Sequence, residues 1–131
     1  MSGEHEHEAL AVVDAIISDF GHNRVNEYFS HFAPDATFIF HTSPTRLDSR
    51  AEYEALWAQW VRESSFAVLS CVSTDRKIAV HGDVAIFTHS VSTILSINGA
   101  TETQLERESI ILQLRDGHWL CVHEHLSGRD D

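Results

Sequence analysis

The sequence predicts an α+β fold in which three helices packed early in the chain support a curved, mostly antiparallel sheet. Two observations carry that expectation. Apolar residues at helical spacing are concentrated before Phe66, whereas the remainder reads as alternating strands divided by Gly82-Asp83, Asn98-Gly99 and Asp116-Gly117, all favoured two-residue hairpin turns. A third observation concerns length: strands of about 10 to 15 residues exceed the usual five or six, so they must twist and curl around whatever they cover. At 131 residues the chain suits one hydrophobic core, and we expect a single domain over 1–131.

Taken in order, Leu10, Val13, Ile16, Ile17 and Phe20 define a first helix, with Gly21 expected at its left-handed C-terminal position. Val25, Tyr28, Phe29 and Phe32 give a short second helix that Pro34 should stop, and Thr37 to His41 reads as a strand. Thr42 to Asp48 is loop. Ser49 followed by Glu52 forms a capping box for a third helix, whose buried face carries Tyr53, Leu56, Trp57, Trp60 and Val61. The second half is then a four-stranded meander.

Composition excludes several classes of partner. A formal charge of −11, from 20 acidic and 9 basic residues with no Lys/Arg cluster, repels phosphate backbones and anionic lipid, so neither nucleic acid nor membrane is expected. The N-terminal Met1 to Glu8 stretch lacks the basic-then-apolar order of a signal peptide, and cytoplasmic localisation is the expectation. Its alternating Glu and His suggest a metal-binding tag less well than a first helical turn whose acids complement the helix dipole. Cys71 and Cys121 lack metal-ligand spacing and fall in apolar strand patterns, which suits free thiols in a reducing compartment; a disulfide is the alternative.

Tight hairpins fix register, and register says which side chains share a face. The Asn98-Gly99 turn places His89 opposite Glu108, and the Asp116-Gly117 turn places Glu108 opposite His125. A two-residue turn at Gly82-Asp83 would add Arg76 to the row. An acid between two imidazoles on an apolar wall suits proton transfer, with Glu108 and His125 handling the proton and His89 orienting them. His123, His41, Tyr53, Trp57, Trp60 and Trp119 are candidate ligand-binding residues, although aromatic residues at such spacing also serve as plain core. The other face, which includes Thr88, Ser90, Arg107, Ile111, Leu120 and Val122, is apolar enough to suggest a homodimer surface.

The segment Glu106 to Ser127, with its Asp116-Gly117-His118-Trp119 and Val122-His123-Glu124-His125-Leu126-Ser127 elements, resembles the SnoaL-like and DUF4440 branch of the nuclear transport factor 2-like superfamily. It is also similar to the association domain of calcium/calmodulin-dependent protein kinase II. The resemblance covers essentially the whole chain and implies a cystatin-like cone. That superfamily includes isomerases, cyclases, dehydratases and association domains, so the resemblance implies a pocket without naming an activity. Val91 and Ile110 stand where the association domain carries pocket-facing arginines.

Two functions stay open on these grounds. One is a cofactor-free isomerase, cyclase or dehydratase acting on an apolar carbonyl compound. The other is a non-catalytic ligand-binding or homo-oligomeric association module, in which His89 and His125 merely satisfy a buried Glu108. His89, Glu108 and His125 also have the residue types of a two-His-one-carboxylate metal triad, but a straight row across strands converges poorly on one ion. We therefore expect no metal and no cofactor.

Overall fold

A computed structural model describes residues 2–129, so Met1 and its share of the N-terminal reading lie outside the described residues. Helix α1 spans Ser2–Gly21, with Glu4 in the first turn where it complements the dipole. Gly21 does not end this helix in the left-handed region as expected. Asn23 does so instead, at φ 58, and its Oδ1 accepts the Val68 N–H at 3.0 Å. Gly21 serves close approach: a Cβ there would lie 3.3 Å from the Cys71 Cβ, so its absence lets α1 press on the sheet.

Helix α2, Val25–Ser30, buries Tyr28 and Phe29. Strand β1, Phe32–Phe40, starts earlier than the sequence suggests and contains Pro34. It lies at the edge of the sheet, where a missing N–H is tolerated. His41 follows it in a turn. Helix α3 spans Arg50–Ser64, and Ser49 Oγ accepts the Glu52 N–H at 3.1 Å while Glu52 Oε1 accepts the Asp48 N–H at 3.1 Å. The box thus closes one residue before the cap.

Strands β2 (Ala67–His81), β3 (Val84–Ile97), β4 (Ala100–Arg115) and β5 (His118–Gly128) form the expected meander. The five strands lie in the order β1-β5-β4-β3-β2, with β1 parallel to β5 and the other pairs antiparallel. All three turns have two residues, since His81 pairs with Val84, Ile97 with Ala100 and Arg115 with His118. Asn98-Gly99 and Asp116-Gly117 both hold positive φ at each position, the hairpin geometry that matches strand twist.

Away from the turns the ladders differ. The β3–β4 register runs unbroken from Ile97–Ala100 to Val84–Gln113. In β4–β5 it shifts between Ile111 and Leu112, leaving Val122 as the extra residue, and β2–β3 shifts twice, at Val68/Ser70 and Thr74/Lys77. Because side chains alternate, each shift changes which residues face the helices. Val72 is 56% exposed and Leu126 lines the inner cavity, the reverse of the faces that uninterrupted hairpin registers would give them.

The core lies between the helices and the inner sheet face, where Val13, Phe32, Phe38, Phe87, Ile110 and Leu112 are fully buried. Tyr28, Phe29, Tyr53 and Trp57 meet mostly edge to face at 5.0–6.2 Å between ring centroids, an arrangement that adds specific attraction to area burial. No described helix is long and apolar enough to cross a membrane.

Candidate active site

A cavity of about 250 Å³ lies between the inner sheet face and the helices. Its apolar walls include Ile16 and Phe20 of α1, Phe40 at the end of β1, Trp60 of α3, and Val91 and Leu95 of β3. The polar groups that reach it include Tyr28, Tyr53 and three carboxyls, those of Glu106, Glu108 and Glu124. No Lys, Arg or His is among the described residues lining it.

The three acids are held differently. Alternation along β4 brings Glu106 and Glu108 to the same face. His41 Nε2 donates to Glu106 Oε2 at 2.6 Å, and burial raises the Glu106 pKa, with the His41 contact opposing that rise. His89 stands opposite Glu108 as the hairpin register requires, and its Nε2 donates to Glu108 Oε1 at 2.7 Å. On the other side of the ring, Ser73 Oγ lies 2.6 Å from His89 Nδ1, so both nitrogens of this buried imidazole are occupied.

Glu124 has no such partner. It sits on β5 between Phe38 of β1 and Ile110 of β4, is 2% exposed, and makes no hydrogen bond to another described residue through its side chain. Burial pushes its pKa well above the ordinary carboxylate value, and the neighbouring charge of Glu108 pushes it further. Nearby, the Tyr28 and Tyr53 hydroxyls are 2.9 Å apart, and burial raises both phenol pKa values well above normal. Both phenols stay protonated at neutral pH, so once one has donated to the other, one O–H is left to donate elsewhere.

The expected row of His89, Glu108 and His125 is therefore broken after its first two members. The extra residue at Val122 slides the ladder by one, so His125 pairs with Ser109 and is exposed on the outer face, while Leu126 stands opposite Glu108. That also removes the three-residue metal arrangement, because His125 lies across the sheet from the other two. His123 goes to the outer face as well, where its Nδ1 lies 2.8 Å from Thr37 Oγ1; burial and the neighbouring His125 lower its pKa.

Arg76 falls at the β2 irregularity, where Asp75 takes φ 52 and the two residues together stand opposite His89. Its guanidinium pairs with Asp14 of α1 and lies 5.2 Å from the Phe87 ring centroid, rather than beside His89. Tyr53 and Trp60 line the cavity, but Trp57 belongs to the aromatic core and Trp119 lies elsewhere in the core. Trp119 Nε1 donates to Glu8 Oε1 at 3.4 Å and its ring meets His5. His41 reaches the site only through Glu106.

Sequence reasoning missed Glu106, Glu124 and the polar role of Tyr28. Glu106 was available from parity, since it shares a face with Glu108. Glu124 was not, because nothing in Cys121-Val122-His123-Glu124 marks a bulge.

The SnoaL-like domain family matches residues 9–129. A search of curated proteins finds no match. Among solved structures, a nuclear transport factor 2-like protein of unknown function from Pseudomonas putida is 15% identical, with a TM-score of 0.82 over 100% of this chain and 91% of that one. A ketosteroid isomerase-like protein from Erwinia carotovora atroseptica is 12% identical, with a TM-score of 0.80 and 98% of each chain covered. A protein from Xanthomonas campestris named as a calcium/calmodulin-dependent protein kinase II association domain is 20% identical, with a TM-score of 0.77 over 95% of this chain and 87% of that one. At these identities the structures establish shared architecture, and the family match over nearly the whole length establishes kinship: this chain belongs to the SnoaL-like domain family of the nuclear transport factor 2-like fold.

Proposed function

We propose that the protein binds a small, largely apolar molecule in the inner cavity and exchanges a proton with it through Glu124. The observation that carries this reading is a buried carboxyl with no hydrogen-bonding side-chain partner, facing an apolar hollow. An unpartnered carboxyl in such a place costs stability unless something else uses it. Its raised pKa keeps the carboxyl protonated where ordinary glutamates are ionised, so it has a proton to give as well as a site to take one.

In the catalytic form of this reading, a carbonyl-type ligand places its oxygen on the free hydroxyl of the Tyr28–Tyr53 pair while Glu124 moves a proton at carbon. That is isomerase, cyclase or dehydratase chemistry without a cofactor. Glu108, with His89 orienting it, acts on Glu124 by charge, so the proton-handling pair becomes Glu124 and Glu108 in place of Glu108 and His125. The fold shared with a ketosteroid isomerase-like protein is consistent with this.

The test is proton exchange at carbon. Apolar cyclic ketones are incubated with the protein in deuterated water, and deuterium uptake beside the carbonyl is followed by NMR. The wild type should accelerate uptake, and Glu124→Gln should remove about 100-fold or more of that acceleration. Ketone binding without exchange would leave the non-catalytic binding module as the function. Absence of binding by any apolar probe would remove the cavity reading altogether.

A second observation favours self-association. Ile39, Val72, Ile86 and Ile94 are each more than a third exposed, and alternation places them on the outer sheet face. We propose that this face forms a homodimer; one structural neighbour is itself named as an association domain. Sedimentation should give twice the chain mass, and Ile86→Glu should shift it to monomer.

A further inference from the structure

We infer that the cavity ligand carries a basic amine on an apolar body, with the ammonium group paired to Glu124. This deepens the cavity reading above and rests on it. Three carboxyls reach this cavity, and no cationic side chain among the described residues lines it. Imidazoles hydrogen-bond Glu106 and Glu108, which leaves Glu124 as the acid with no side-chain partner among the described residues. A ligand carboxylate would meet the charge of Glu108 and find no cationic side chain in return, and a neutral ligand would offer Glu124 a hydrogen bond but no counter-charge. An ammonium supplies the missing charge and up to three donors in one group.

The walls suit the same ligand. Phe40, Tyr53 and Trp60 border the cavity, and aromatic rings attract a cation as well as an apolar body. The protein's overall charge of −11 adds a long-range pull on cations.

Proton balance gives the inference a measurable form. In the empty cavity Glu124 is held toward its neutral form by burial and by Glu108. A free amine entering takes that proton, forming one N–H bond as the Glu124 O–H bond breaks, and leaves an ammonium–carboxylate pair. An amine already protonated in solution reaches the same pair with release of one proton to water. Below the pKa of Glu124 in the empty protein, affinity for such an amine therefore rises with pH, toward about tenfold per unit.

The groups that bear on Glu124 from each packed element are few. Strand β4 brings Glu106 and Glu108 with their partners His41 and His89, α2 and α3 bring Tyr28 and Tyr53, β2 brings Cys71, and Cys121 lies on β5 itself. Helix α1 contributes Ile16, Ile17 and Phe20, which carry no charge. Glu124→Gln isolates the Glu124 share.

The experiment is calorimetric titration of the full chain with phenethylamine, phenethyl alcohol and hydrocinnamate across neutral pH, in buffers of different ionisation enthalpy. The expected result is an amine bound at least tenfold more tightly than the alcohol, no measurable binding of the carboxylate, and release of up to one proton with the amine. In Glu124→Gln the amine and the alcohol should bind alike. Binding of the alcohol as tightly as the amine by the wild-type chain, or an amine preference with no proton release, overturns the amine assignment while leaving the cavity as a binding site. Failure of both amine and alcohol to bind overturns both.

Discussion

Glu108 and Glu124 border the same cavity from neighbouring strands, yet they were delivered by ladders of different regularity and ended in different states. Glu108 lies on the unbroken β3–β4 ladder, and its register partner His89 is also its hydrogen-bond partner. Glu124 lies just past the β5 bulge, at a position the turn-based register assigns to the opposite face, and no side chain answers it. A regular ladder satisfies its own polar groups across strands. A bulge places a side chain where no cross-strand partner was prepared, and that is a usual way for a sheet to expose chemistry.

The sharpest break of this comparison removes the acid from the satisfied pair. Glu108→Ala leaves the buried His89 Nε2–H without an acceptor and should cost about 1–3 kcal/mol of stability by urea denaturation, whereas Glu108→Gln keeps an acceptor and should cost less. The reverse is expected at Glu124. A carboxyl whose folded pKa is raised favours the folded state while neutral and opposes it as pH climbs above its unfolded value of about 4.3. Glu124→Gln should therefore stabilise the protein at neutral and mildly alkaline pH, with little effect in acid, as measured by thermal denaturation across pH. Glu106 contributes a pH slope of the same sign in both proteins, so the difference between them reports Glu124.

Much of the architecture was legible in advance because it depends on strong local signals. Ser49 and Glu52 announced α3, and Asn98-Gly99 and Asp116-Gly117 announced their hairpins with the correct loop length. The His89–Glu108 pair followed from one of those turns. What was not legible lay beyond irregularities that leave no mark in side-chain type. The left-handed residue at Asp75 moved Arg76 away from His89 and toward Asp14, and the extra residue at Val122 carried His123 and His125 outward and Glu124 inward. A turn fixes register only as far as the next bulge.

The outward histidines offer a smaller contrast. His125 is exposed, so His125→Ala should change stability by less than about 0.5 kcal/mol and leave ligand binding in the cavity unaltered. His123 differs, since its pKa is lowered by burial and by His125: stability is lost as pH falls below its unfolded value of about 6.5. His123→Gln should soften that acid-side loss slightly, the least of the effects expected here.

The ionisation state of Glu124 carries the whole functional reading, and infrared difference spectroscopy of the wild type against Glu124→Gln across pH measures it directly. The account predicts a protonated-carboxyl C=O band that persists in the wild type above the pH at which ordinary glutamates ionise and is missing in the variant. A Glu124 carboxyl already fully ionised at the acidity where ordinary glutamates titrate would contradict it.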